Sequence, residues 1–433
     1  LLVCPTAKSF NSFACQHDAG IHYQRNRIMS QLQGMQGMQG MQGMQGMQGM
    51  QGMQGISAAG TLSPGADPAF CVGLMTSREA LMQPHGDEAG AFVPLRPLWG
   101  ASSTNMPSMD NSEHLLKRWS SDIRHENLLA ELIEPLRMVV NAKDQRVQVF
   151  HLETNIASLQ HEKNFTGTAH CLYTLQRPKR QDFELQLPAV NRWAELRPER
   201  AQEIITQIGI PMQYWSSILD LNPTNHPWTL QLLSLTLACA SYLNQPSKHH
   251  LACPRPVDYS PGIQPIINAR RFAAFPSGHA TEAFVVARML QMVTGQERTD
   301  KTGKPTAVET QLQRLAARIS NNRVIAGVHF PIDATSGRMV AETLCEYIQH
   351  RCADTDALKV QTKYIPRHFH GQALQAAYVE KPFDRSERFT GSTHFSSDHD
   401  VVISNLNRTQ VLSGKTHGGL LPTLWALARQ EWQ

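Results

Sequence analysis

Apolar residues recur at helical spacing over residues 112–140, where Leu115, Leu116, Trp119, Ile123, Leu128, Leu129, Leu132, Ile133 and Leu136 follow Ser112 as a cap, and one long amphipathic helix is predicted there. The same period returns at 197–209, at 211–221 and at 227–244, the last expected to stop where Pro246 removes a backbone donor. Residues 280–293 are apolar on nearly every face, the pattern of a helix at the centre of a bundle. Two more helices are predicted at 308–322 and 331–351, with Pro331 suited to a first helical turn. Short runs at 147–152 and 183–187 read as β-like interruptions. The expectation is a mainly α domain, a helical bundle, over residues 111–352.

Outside that domain the pattern fails. From Gly34 to Gly55 the triplet Gly-Met-Gln repeats without interruption, so residues 1–60 read as a disordered low-complexity segment. Methionine is the only apolar group in the repeat, and glycine at every third position raises the entropy cost of ordering. A soft-metal site built from these thioethers is the weaker alternative, because such ligands normally come from a folded frame. Residues 61–110 are rich in Gly, Pro, Ser and Met and read as an irregular extension. Residues 353–433 read as a C-terminal extension whose His368, His370, His394, His399 and His417 show no metal-ligand spacing and are expected at the surface.

Composition narrows the function classes. A chain of 433 residues with 41% hydrophobic and 18% charged residues has material for a sizeable core, and its formal charge of +4 is not gathered into basic runs. A nucleic-acid partner is therefore not expected. No membrane span is predicted either, since the most apolar stretch, residues 230–243, is interrupted by Gln231, Ser234, Thr236 and Ser241. The eight cysteines are scattered without a Cys-x-x-Cys pair, which predicts reduced thiols and a cytoplasmic, soluble protein. The sequence opens on Leu1 without a signal-peptide core, so either its start is missing or Met29 is the real one. Asn164 and Asn407 match the glycosylation pattern, with no other feature arguing for secretion.

Three groups within the helical domain carry chemistry. Lys248 is followed after six residues by Arg255-Pro256; then comes Pro276-Ser277-Gly278-His279; then Arg323, followed after five residues by His329 and after three more by Asp333. Three cations, a hydroxyl, a glycine amide and two imidazoles suit a tetrahedral, multiply charged oxyanion. Ser277 and Gly278 enter a predicted helix, where free amides and the positive dipole end face an anion and the missing Cβ of Gly278 permits close approach. His279 on the first turn is placed as general acid or base. Asp333 stands four residues after His329, able to accept one ring proton and leave the other nitrogen free as a nucleophile or ligand. Its alternative role is a dipole-favouring acid in a first helical turn.

As an ordered set, these motifs resemble the superfamily of type 2 phosphatidic acid phosphatases, bacterial acid phosphatases and vanadium-dependent haloperoxidases. The likeness spans residues 248–333, and Asn322 stands where that superfamily usually has serine before the arginine. It implies a helical bundle of the acid phosphatase and vanadium haloperoxidase type, with Lys248, Arg255, Ser277, Gly278 and Arg323 binding the oxyanion. His329 then corresponds to the nucleophile or vanadium ligand, and His279 to the acid/base histidine. Pro-Ser-Gly-His-Ala-Thr and Gly-Val-His look most like the soluble haloperoxidases. The leading expectation is thus an enzyme that holds vanadate as cofactor and oxidises halide with hydrogen peroxide. The alternatives are a soluble acid phosphatase that hydrolyses phosphate monoesters through a phosphohistidine, without cofactor, and a non-catalytic oxyanion-binding protein.

Overall fold

The computed structural model describes residues 116–154, 167–209, 211–268, 272–295, 307–352, 366–371, 403–405 and 419–433, together with Val72 and Thr76. The chain divides into two units, Leu1–Leu95 and Arg96–Gln433, and everything below concerns the second. The Gly-Met-Gln tract, nearly all of the irregular extension, both glycosylation patterns and His394, His399 and His417 lie outside the described residues.

The helices expected from periodicity form a bundle. Helix α1 is Ser121–Ile133; α2 Arg180–Glu184; α3 Leu187–Trp193; α4 Arg197–Thr206; α5 Met212–Leu219; α6 Pro227–Leu251; and α7 Pro256–Tyr259. Then follow α8 Gly278–Val293, α9 Ala307–Ile325, α10 Pro331–Cys352 and α11 Leu420–Gln430. Helix α8 is the centre: it packs against α6, α9 and α10, and Ala280, Ala283, Val285, Val286, Met289 and Leu290 are all buried. An apolar surface on every face needs neighbours on every face, which is why this segment takes the middle of the bundle.

A sheet of five strands in the order β1-β2-β3-β4-β5 lies beside the bundle. Its strands are β1 Leu136–Asn141, β2 Arg146–Thr154, β3 Gly167–Gln176, β4 Arg367–Phe369 and β5 Ile403–Asn405. All neighbours are antiparallel except the parallel pair β3 and β4. Val147, Val149 and His151 alternate into the interior along β2, the period-two pattern of a half-buried strand.

Three readings from sequence are corrected. The long helix predicted over 112–140 ends at Ile133, because Pro135 has no amide to continue it and the following Val139-Val140 prefers an extended strand; Leu136 opens β1 instead. The β-like run at 183–187 is helical, with Asp182 accepting from the Lys179 amide at 2.8 Å to start α2 and Pro188 in the first turn of α3. Pro246 does not stop α6, which continues to Leu251. The segment after residue 352 contributes β4, β5 and α11, and α11 packs on α1, α6 and α10.

Helix α11 is tied in by exchanged caps. Glu131 at the end of α1 accepts from the amides of Leu420 and Leu421 at 2.9 and 3.4 Å, at the start of α11. Glu431, just past the end of α11, accepts from the amides of Trp228 and Thr229 at 2.7 and 2.8 Å, at the start of α6. Each carboxylate answers amides that a helix leaves without partners and sits at the positive end of its dipole.

Candidate active site

Four chain segments meet where α8 and α10 begin. Ser277 is the N-cap of α8, its Oγ accepting from the Ala280 amide at 3.3 Å. The Ser277 amide donates to Asp333 O at 3.0 Å, which joins this turn to the first turn of α10. Gly337 makes the approach possible: a Cβ there would stand 2.6 Å from Ser277 O and 3.2 Å from the Thr281 amide nitrogen. At Gly278 a Cβ would meet only Glu282 Oε1 at 3.9 Å and Lys248 Cε at 4.0 Å, so glycine there leaves backbone open rather than relieving a clash.

His329 is buried between an acid and a cation. Its Nδ1 lies 3.0 Å from Asp333 Oδ2, which also accepts from the Phe330 amide at 2.9 Å. Its Nε2 lies 3.0 Å from Arg255 Nη1. Guanidinium can only donate and the carboxylate accepts, so Nδ1 carries the proton and Nε2 the lone pair. Burial, then Arg255 and Lys248, hold the imidazole well below its ordinary pKa, so it is neutral. Burial pushes the Asp333 carboxyl upward, opposed by the Phe330 amide, Lys248 and Arg255.

The cations are held by backbone. Lys248 reaches the site from the last turn of α6, past Pro246, and its ammonium donates to Ala274 O at 2.8 Å, to Ala273 O at 3.2 Å and to Pro276 O. Arg255 donates to Phe272 O at 3.0 Å, Ala273 O at 3.2 Å and Val328 O at 2.7 Å. Both therefore brace the 272–276 turn while placing charge beside His329. Burial, followed by Arg255, drives the Lys248 ammonium down from its usual value.

Arg323 differs. Its Nη2 donates to Ile204 O at 3.0 Å and lies 3.4 Å from Gln207 Oε1, while Nε and Nη1 are buried without an acceptor among the described residues. Those two donors are open to an acceptor, and tetrahedral oxyanion oxygens suit a guanidinium. The donor set thus fits a phosphate- or vanadate-like group, and the amides of Gly278 and His279, first in α8, add donors with no intrahelical partner.

His279 is half-buried, with Nε2 3.0 Å from Ile208 O, so that nitrogen is the donor and Nδ1 has the lone pair. Burial and the charge of Arg323 lower its pKa to about 3. An anion that neutralises the neighbouring cations would raise it again, which is how this imidazole could come to hold a proton for transfer.

Sequence reading missed several supports. Glu282, one turn beyond Gly278, feels both Lys248 and Arg323, and burial raises its carboxyl; its position four residues after Gly278 on one helix face was a usable signal. Asn322 donates to Gln207 Oε1 at 2.9 Å and to Glu203 Oε2 at 3.1 Å, so it braces the residue that Arg323 also contacts. Gln186 accepts from the Ile332 amide at 2.9 Å and fixes the start of α10. These partners come from distant segments and carry no local spacing.

Among the described residues, no group of three or more His, Cys, Asp or Glu could hold a metal ion, and no helix is long and apolar enough to cross a membrane. Cys171, Cys239, Cys253, Cys345 and Cys352 are free thiols. Residues 229–351 match the family described as the PAP2 superfamily, a segment that contains Lys248, Arg255, Ser277, Gly278, His279, Arg323, His329 and Asp333. No curated protein matches the chain.

Proposed function

We propose, from a segment that matches the PAP2 superfamily and carries its three motifs in order, that this chain is an enzyme acting on a tetrahedral oxyanion at His329 Nε2, and that its reaction is hydrolysis of phosphate monoesters. The observation that carries the reading is the placement of His329: Nδ1–H donates to Asp333 Oδ2, and Nε2 presents a lone pair beside Arg255. The ester phosphate would sit against Arg255, Arg323, Ser277 and the first amides of α8, with Lys248 as a fixed charge behind them. Nε2 attacks phosphorus and the ester P–O bond breaks. The departing oxygen takes a proton from His279, whose pKa the dianion has raised. Water, deprotonated by His279, then attacks the phosphohistidine and releases inorganic phosphate, restoring both imidazoles. The Asp333 carboxylate compensates the positive charge that develops on the His329 ring.

A second reading, vanadium-dependent halide oxidation, is favoured by the sequence likeness to soluble haloperoxidases and by the same donors. Lys248, Arg255, Ser277, Gly278 and Arg323 would hold vanadate, with His329 Nε2 as its ligand. Bound vanadate would supply Lewis-acid activation of peroxide. What favours the ester is that His329, Asp333 and His279 supply the nucleophile, its charge partner and the proton donor that hydrolysis needs.

The test is hydrolysis of a chromogenic phosphate ester by the purified chain, run beside bromide oxidation by peroxide with and without added vanadate. An acid-labile phosphate on the peptide containing His329 is the expected intermediate. Bromide oxidation dependent on vanadate, without ester hydrolysis, would replace the first reading by the second. Neither activity across the pH range would leave an oxyanion-binding protein.

A further inference from the structure

Glu282 is the acid of the pocket that the reaction above does not use. It lies in α8 past the first turn and interrupts a stretch in which Ala280, Ala283, Phe284 and Val285 are buried. The helix dipole favours carboxylates in the first turn, so it does not account for an acid here. A helical side chain leans toward the N-terminus of its helix, which carries the half-buried Glu282 carboxyl back toward Gly278. There Oε1 lies 3.9 Å, and Lys248 Cε 4.0 Å, from the point a Cβ on Gly278 would occupy. The open backbone at Gly278 thus has both an acid and a cation beside it.

The neighbouring cations attract this carboxyl without bonding to it. Lys248 directs its ammonium to Ala273 O, Ala274 O and Pro276 O. Arg323 contacts Ile204 O and Gln207 Oε1, and its Nε and Nη1 have no acceptor among the described residues, so neither bonds to Glu282. Burial nevertheless pushes the Glu282 carboxyl up while Lys248 and Arg323 oppose it, and burial lowers the Arg323 guanidinium to about 10 while Glu282 opposes that. Opposite charges that act on one another without a hydrogen bond have room between them for a third group.

An acid among anion-binding donors is selective. Lys248, Arg255 and Arg323 can only donate, whereas an ionised carboxylate only accepts. A fully deprotonated anion such as sulfate would set oxygen against oxygen. Inorganic phosphate keeps a P–OH in both its singly and doubly charged forms, and one proton can then lie between a phosphate oxygen and Glu282 in a short, charge-assisted bond. We infer that Glu282 shares a proton with the bound anion and selects tetrahedral oxyanions that bring one, phosphate and vanadate, over sulfate. The inference rests on the oxyanion reading of the pocket and holds for either reaction at His329. A doubly charged ester has no P–OH and would enter together with one proton from solvent.

Calorimetric titration of the full chain with inorganic phosphate, and with sulfate in competition against it, tests this in wild type and in Glu282→Gln, with thermal unfolding as the check on folding. Wild type should bind phosphate roughly tenfold or more tightly than sulfate. Glutamine keeps the size, removes the charge and supplies an N–H, so sulfate should bind Glu282→Gln at least about tenfold more tightly than wild type, while phosphate stays within about threefold. Glu282→Ala, which should show the same collapse of the ratio, stands in if the glutamine variant does not fold. A carboxylate that only balances Lys248 and Arg323 would, once neutralised, strengthen both anions alike; an unchanged ratio therefore overturns the inference, as does equal binding of the two anions by wild type. Discrimination that Glu282→Gln removes, without hydrolysis of any ester, upholds the inference and overturns the hydrolytic reading; hydrolysis without discrimination does the reverse. Binding of neither anion overturns the inference and the oxyanion pocket together.

Discussion

Replacing Asp333 by Asn keeps the shape of the site and removes one charge. Asp333 Oδ2 accepts both His329 Nδ1–H at 3.0 Å and the Phe330 amide at 2.9 Å, and the side-chain carbonyl of Asn can take both bonds from the same place. The opposite amide orientation would set a donor against two donors, so the Nδ1–H tautomer and the free Nε2 should survive. What changes is strength. A hydrogen bond to an ionised acceptor is about twice as strong as a neutral one, so the two bonds together lose about 2 kcal/mol. If that loss is felt when positive charge develops on the His329 ring, turnover falls roughly thirtyfold. Phosphate affinity should be retained, because a carboxylate leaves the pocket and all three cations remain. The assay is steady-state ester hydrolysis with phosphate inhibition, beside His329→Ala, which should bind phosphate yet show no turnover and no phosphorylated peptide. An Asp333→Asn enzyme as inactive as His329→Ala, or one with wild-type turnover, would refute the reasoning.

Gly327→Ala should lower stability by about 2–3 kcal/mol in denaturant unfolding, because φ of +79° strains a side chain and the Cβ must displace Arg197, which makes three bonds to backbone; a change under about 0.5 kcal/mol would contradict this. Phosphate and vanadate should compete for one site, since Lys248, Arg255 and Arg323 meet both as tetrahedral oxyanions, and independent binding of the two would refute a shared pocket. His151 is buried against Tyr347, and burial followed by Arg351 lowers its pKa to about 3, whereas in the unfolded chain it titrates near 6.5. The unfolded state therefore takes up the proton first, so this contribution is whole above pH 6.5 and is lost as pH falls towards 3. His151→Gln should flatten the stability slope over that range by at most about 1.4 kcal/mol per pH unit, and equal slopes would contradict the assignment. Glu431→Ala should cost about 1–2 kcal/mol through the amides of Trp228 and Thr229, read by thermal unfolding, with no change expected in phosphate binding.

The sequence by itself determined the helices whose apolar period is unbroken, the central place of α8, and the ordered triad of motifs that places Lys248, Arg255, Ser277, His279, Arg323 and His329 in one domain. The tautomer of His329 was also legible, because Asp333 lies one helical turn away and short spacings survive folding. What depended on distant segments was not legible. Whether 136–140 continued a helix or paired as a strand was decided at Pro135 and by the pairing of β1 with β2. Pro246 could be held within α6 because packing along the rest of that helix outweighs one lost backbone bond. Only the tertiary structure engaged Lys248 and Arg255 with the carbonyls of the 272–276 turn, left two donors of Arg323 without an acceptor among the described residues, and brought Gly337 beneath Ser277. The same holds for a cleft beside Arg255, whose walls come from 257, 265–268 and 327–328 and meet because Arg197, more than sixty residues before either turn it fastens, bonds to both. Local period and motif order are properties of neighbouring residues, whereas the partners of a buried charge are chosen by whichever carbonyls and carboxylates the packed helices bring within reach.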